Sequence, residues 1–216
     1  MNKELSELNK TLQAQLKKKD TYSDGIDTLI QLRDQIMTTI NSFRNDLTRD
    51  DFDALPYINA DGYHSKNIAY SLWHIFRIED IVAHELIAGD EEVFFAKDYQ
   101  KRTRSPIITT GNELVKEQIS DFTKQLDIDE LYSYISDVKA STESMIKALP
   151  YTDLKNKIPA ERKENLSKTG VVSRDENAVW LIDYWCGKDV KGLIQMPFSR
   201  HWIMHTEACL RIKNKL

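Results

Sequence analysis

Apolar residues recur along this chain at steps of three and four, the spacing of one face of an α-helix. Leu5, Leu8, Leu12 and Leu16 predict a short amphipathic helix over 3–19 whose other faces carry Glu, Gln and Lys. Such a stripe is costly to leave in water, at about 25 cal/mol per Å² of apolar surface, so this helix is expected to dock on its own chain or on a second copy. Beyond the break at 21–25, Ile26, Leu29, Ile30, Ile36, Met37, Ile40, Phe43 and Leu47 continue the period through a first long segment. The turn formers Pro56, Asn59, Asp61 and Gly62 separate it from a second segment, 66–88, which Gly89 and Asp90 end. A third runs through Ile128, Leu131, Ile135, Val138, Thr142, Met145 and Leu149 to Pro150. The last, Phe198 to about Lys213, follows Pro197, a residue suited to a first helical turn.

The connections between these segments are long. Thr110-x-x-Glu113 has the form of a capping box and predicts a short helix from there to about Gln125. Ser173-x-x-Glu176 has the same form, ahead of an apolar, Trp-containing stretch from Asn177 to Cys186 that Gly187 closes. Lys101, Arg102 and Arg104 read as a solvated basic loop, and 151–168, polar and Lys-rich, as an excursion on the surface. The expected fold is all-α: a four-helix bundle in a single domain over 1–216, with an extra N-terminal helix at 1–20 and helical insertions in the connections 89–126 and 150–196.

Composition narrows the function classes. Seven Gly and five Pro among 216 residues argue against a turn-dense sandwich or barrel. Thirty Lys+Arg against 34 Asp+Glu leave a net charge of −4, so no broad basic field invites nucleic acid. Cys186 and Cys209 are neither a disulfide framework nor a C-x-x-C site. With no apolar stretch of signal-peptide or membrane-spanning length, the expectation is a cytoplasmic protein that neither enters nor crosses a membrane.

Placing the five histidines on their helical faces sorts them. In the second segment Ile68, Leu72, Ile75, Ile78 and Val82 draw the apolar arc; His74 falls inside it, and Arg77, Asp80 and His84 take the opposite arc. In the last segment Phe198, Trp202, Met204, Ala208 and Ile212 draw the arc, with His201 and His205 at its centre. Two imidazoles at i and i+4 stand one turn apart, the spacing that lets both bind one metal ion. His74 from another helix completes a facial set of three neutral nitrogens. A single inward His is usually a hydrogen-bonded core residue, but three need more polar partners than a bundle core offers, and a shared ion satisfies all three. His64, in the turn before the second segment, and His84 read as ordinary surface histidines. Glu79 lies about 7.5 Å along the helix axis from His74, better placed as a supporting partner than as a ligand. Cys209, one turn beyond His205, admits an alternative His205/Cys209 site, against the safer reading of a buried structural thiol. Tyr70, Trp73, Trp180, Trp185 and Trp202 are expected mostly in the core, any that reach the metal pocket forming an apolar substrate wall.

The stretch Ser71-Leu-Trp-His74-Ile-Phe-Arg-Ile-Glu79, followed by Arg200-His201-Trp-Ile-Met-His205, resembles the DinB/YfiT-like superfamily of metal-binding four-helix bundles. In that family a His on the second helix, with an acid five residues later, joins an H-x-x-x-H pair on the last; His74, Glu79, His201 and His205 match one by one. The likeness covers roughly 26–88, 128–149 and 198–214, and leaves out the N-terminal helix and both long insertions. It implies one divalent ion, zinc or nickel, and thiol-dependent transferase or isomerase chemistry with a low-molecular-weight bacterial thiol. Two expectations follow. The first is a metal-dependent enzyme of the thiol S-transferase or hydrolase type, in which an ion with an open position acidifies water or a thiol against a small electrophilic substrate. The second is a non-catalytic metal- or ligand-binding stress protein, with the leucine helix and the insertions building a homodimer.

Overall fold

A computed structural model describes residues 3–216. Among the described residues the chain is helical without strands, apart from one isolated bridge between Lys157 and Asp189. The elements that matter here are α1 (Lys3–Gln15), α2 (Tyr22–Asp46), α3 (Ile68–Ile81), α4 (Ile128–Ala148), α5 (Ala160–Thr169), α6 (Trp180–Cys186) and α7 (His201–Lys213). Two of the long helices carry π-helical turns: Val82–Ala88 extends α3, and Met196–Arg200 leads into α7. Helix α3 packs on α4 and α7, α7 also packs on α2, and α2 on α4.

The leucine stripe of α1 is used within the chain. Leu5, Leu12 and Leu16 are buried and Leu8 is half-buried, all against α2. The chain reverses between the two helices at close quarters: a Cβ at Gly25 would stand 3.1 Å from Leu16 Cδ2 and 3.2 Å from Gln15 Cβ. A larger residue there would push α1 off its seat.

Helix α3 departs from the amphipathic expectation, because every residue from Ile68 to Ile81 is buried. The arc expected to face solvent, with Arg77, Asp80 and His84, is covered by the connection 89–126. Asp80 accepts from the backbone N–H groups of Val93 and Phe94 at 2.9 Å each and from the Tyr134 hydroxyl at 2.8 Å. Arg77 pairs with Glu92 and lies over the Phe94 ring, 4.4 Å from its centroid. His84 is 7% exposed rather than a surface histidine: Nδ1 meets Asp90 at 2.6 Å and Nε2 meets Ser141 at 3.0 Å. His64 sits half-buried in the turn Gly62–Ser65, edge-on to Tyr57.

Both expected capping boxes belong to loops instead. Glu113 is taken by the hydroxyl of Thr109, Thr110 bonds Asn112, and the helix starts only at Glu117. The Ser173 hydroxyl accepts from Asp175 N, and α6 begins at Trp180. Short polar side chains favour tight local turns as readily as helix starts, and the same sequence pattern serves both. The basic cluster is partly helical: Tyr99–Arg102 forms one turn, with Lys101, Arg102 and Arg104 exposed. The excursion after Pro150 carries α5, mostly exposed, whose Arg162 donates to the carbonyls of Leu86, Ile87 and Ala88. Those are end-of-helix carbonyls left without partners by the chain turn at Gly89, where φ is +77°. Among the described residues, no helix is long and apolar enough to cross a membrane.

Candidate metal centre

Helices α3 and α7 bring His74, His201 and His205 together in the interior. Their ring centroids are 5.1 Å (His74–His201), 4.7 Å (His74–His205) and 4.4 Å (His201–His205) apart. One nitrogen from each lies within 4.8 Å of the other two, a spacing that small ring rotations bring toward the bond lengths of a single ion, about 2.0–2.1 Å for zinc to nitrogen. Cys209 lies outside this group; it is buried, bonded to Ser71, and burial pushes its thiol up to about 12, which fits the structural reading.

The polar atoms of the cluster show what it lacks. His201 Nδ1 and both ring nitrogens of His205 are buried without a hydrogen-bond partner. An unpaired buried polar group costs roughly 1–3 kcal/mol, so three at one point make a strained interior unless something with empty orbitals or protons joins them. Burial lowers all three histidines, His74 to about 4, with Lys66 adding to the effect and the Thr110 carbonyl opposing it, and His201 and His205 well below the usual imidazole range, with repulsion from their neighbouring histidines adding to it. They are therefore neutral at physiological pH, and neutral imidazole is the form that binds a metal.

His74 is oriented by the inserted connection. Its Nδ1 lies 2.9 Å from the carbonyl of Thr110, which can only accept, so Nδ1 carries the proton and Nε2 keeps its lone pair. That bond is one of four in a row. The carbonyls of Ile108, Thr109, Thr110 and Gly111 accept in turn from Arg77 Nε, Trp73 Nε1, His74 Nδ1 and the Tyr70 hydroxyl, at 2.9, 3.1, 2.9 and 2.9 Å. Tyr70 also stacks on His74, 12° from parallel. The insertion at 89–126 thus sets the tautomer of a cluster histidine, a role invisible in its composition.

Beneath the cluster a second network ties the four long helices. Arg33 of α2 is wholly buried and donates to Glu79 of α3 at 2.7 and 2.9 Å, to Glu143 of α4 at 3.0 Å and to the Phe198 carbonyl at 3.2 Å. Its guanidinium lies 4.2 Å from the ring centroid of Trp202, whose Nε1 donates to Glu79 at 2.7 Å. Glu79 and Trp202 therefore support the site from below, holding α7 one residue from His201. Burial pushes Glu79 up while Arg33 beside it pulls down; the ionic contacts on both sides of Arg33 fix its own charge. Arg33 was visible in the sequence as a charge within the apolar run Leu29, Ile36, Ile40, at helical spacing from each.

The cluster opens on a cavity of about 280 Å³ whose walls are largely apolar: Ile78, Trp180, Leu181, Tyr184, Trp185, Met196 and Pro197. Trp180 and Trp185 thus form the expected wall, whereas Trp73 and Trp202 are core. Adjoining it, and sharing Tyr63 and Asn112 with it, a cleft of about 400 Å³ lined also by Ser65, Lys66 and Tyr70 reaches the same His74 and His205.

Asp90, His84 and Ser141 also line up in the order of a hydrolase triad. Ser141 sits in the middle of α4, where backbone N–H groups are committed to the helix, and Asp80 lies 3.8 Å from His84 Nε2, an anion where an oxyanion would have to form. The arrangement clasps the connection to α3 and α4. The fold and site together describe an all-helical protein with a buried tri-histidine cluster suited to a metal ion. No protein-family model and no curated protein matches the chain.

Proposed function

We propose that this chain is a metal-dependent enzyme of the DinB/YfiT-like kind, a four-helix bundle that joins a small thiol, or water, to a small electrophile. The ring of contacts among α2, α4, α3 and α7, with Arg33 bonded to Glu143 of α4 and Glu79 of α3 and lying over Trp202 of α7, supports the bundle arrangement. The observation that carries the proposal is the set of three neutral, inward histidines, two of them with unpartnered buried nitrogens, at the meeting point of two openings. His74, His201 and His205 would hold the ion, zinc or nickel, both suited to imidazole donors. Held by three neutral nitrogens, such an ion would supply Lewis acidity to a small molecule brought to the cluster.

The chain's own groups do the rest. Thr110, through its carbonyl, and Tyr70 hold His74 in the ligating tautomer. Trp180, Trp185, Leu181 and Met196 shelter an apolar electrophile from water. In the transfer, the thiol sulfur forms a bond to the electrophilic carbon, the bond from that carbon to its leaving group breaks, and the thiol proton ends on the leaving group or in solvent. Because the leucines of α1 are spent on α2, they carry no argument for the alternative, a binding protein built as a homodimer. The test is elemental analysis of the purified protein, then assay of small thiols and water against a panel of electrophiles. Close to one divalent ion per chain and turnover that chelation abolishes are expected; a fully loaded protein inert to the whole panel would overturn the enzymatic reading.

A further inference from the structure

The cleft on the polar side of the cluster holds an unbalanced positive charge. Lys66 is half-buried there, 5.0 Å from the Tyr70 ring centroid, and donates one hydrogen bond, to the Leu114 carbonyl at 3.1 Å. Its ammonium has two further donors. No carboxylate pairs with it among the described residues, and neither opening has an Asp or Glu in its lining. Glu113, next to Leu114 in the chain, is engaged by Thr109 through one oxygen and keeps the other buried without a partner, and it lines neither opening. Lys66 is close enough for its charge to act on both His74 and His205. Asn112 borders both openings, and its Oδ1 accepts from Thr110, so its NH₂ group remains a donor.

A divalent ion on three neutral imidazoles beside a lysine would make a site of strong positive charge, with no carboxylate in the lining of either opening. Charge of that kind is stabilised by an anion brought with the ligand. Resting on the metal reading above, we infer that the polar cleft selects a small thiol bearing a carboxylate, the carboxylate bound by Lys66 and Asn112 while the sulfur reaches the histidine cluster. The adjoining aromatic cavity is then left to the apolar electrophile.

The full chain loaded with cobalt(II) tests this, because a thiolate on cobalt gives a sulfur-to-metal absorption band that can be titrated without any turnover. Three probes of similar size differ in charge: 3-mercaptopropionate, 2-mercaptoethanol and 2-aminoethanethiol. The carboxylate probe is expected to bind about ten- to a hundredfold tighter than the neutral one, and the cationic probe weakest. Lys66→Met should erase that margin, weakening 3-mercaptopropionate far more than 2-mercaptoethanol while cobalt is still taken up, and Lys66→Arg should keep it. Equal affinities for the three probes, or a margin that survives Lys66→Met, would overturn the inference and leave the metal reading standing. Failure to take up cobalt overturns both, and is distinguished by the absence of any visible spectrum.

Discussion

Helix α3 and its π-helical extension carry two buried polar clusters on adjacent faces, and they are finished differently. On one side Arg77, Asp80 and His84 meet Glu92, Tyr134, Asp90, Ser141 and two backbone N–H groups, so charge is met by charge, and the atoms left over, Arg77 Nη2 and Glu92 Oε1, belong to an ion pair that borders neither opening. On the other, His74 meets His201 and His205, neutral groups with nitrogens left over, beside open space. Buried polarity that is satisfied holds a fold together; buried polarity left unsatisfied beside a cavity is where a ligand is wanted. Histidine burial alone does not tell the two apart, since His84 and His201 are equally exposed at 7%.

The sharpest way to break this comparison is to remove one histidine from each side. His205→Leu should reduce bound metal to background by elemental analysis, with the stability of the metal-free chain equal or higher, because two unpartnered nitrogens are replaced by apolar surface. His84→Leu should leave metal content unchanged and cost about 1–3 kcal/mol in denaturant unfolding, since Ser141 and Asp90 lose their partner. The same outcome from both variants would show that the two sides do not differ in kind.

Next in size is the support beneath the cluster. Arg33→Met strands Glu79 and Glu143 in the interior, and breaking a buried pair by removing one partner costs about 3–5 kcal/mol. Denaturant unfolding measures it. Arg33→Met with Glu79→Gln should recover part of the loss, because no unpaired charge then remains at Glu79. A single-variant loss under about 1 kcal/mol would mean that water reaches these groups.

What could be read from the sequence follows the same division. Helical periodicity found all four long segments and the three inward histidines, because an apolar stripe records burial against the other long helices. It failed for Arg77, Asp80 and His84, whose cover comes from residues 89–126, a connection without period of its own. Tyr63, Lys66, Asn112 and the Thr110 carbonyl were likewise out of reach: they approach the cluster from turns, where spacing along the chain says nothing about direction in space. Arg33 left a trace as a charge in an apolar stripe; Glu143, one residue beyond Thr142, left none.

The connection's hold on His74 can be tested at Gly111, where φ is +77° and an added Cβ would stand 3.0 Å from Tyr70 Cε2. Gly111→Ala should shift the carbonyls that orient His74 and Tyr70 and weaken metal binding about ten- to a hundredfold, the usual scale for losing an outer partner of a ligand. Gly170→Ala, at the same φ with nothing within 4 Å, should cost about 1–2 kcal/mol of stability from backbone strain alone and leave metal affinity intact. Metal titration of the two variants separates them; equal affinities would place the control of His74 elsewhere.

The last expected effect is on the pH dependence of the metal-free chain, read as a slope rather than as a loss at one pH. Burial holds His74 down to about 4, below the roughly 6.5 of an unfolded histidine, and His201 and His205 are depressed as well. Between those values the unfolded state binds more protons than the folded one, so stability rises with pH. The contribution of these groups is fully present above about pH 6.5 and is lost as pH falls through 4. Unfolding midpoints of the metal-free chain at pH 7, 6, 5 and 4 should therefore decline steeply, and His205→Leu should flatten the decline without abolishing it. Loaded protein should lose its ion over the same window, since protons and metal compete for the same lone pairs. A midpoint independent of pH from 7 to 4 would mean that the histidines stay hydrated, and the contrast between the two faces of α3 would then have no energetic basis.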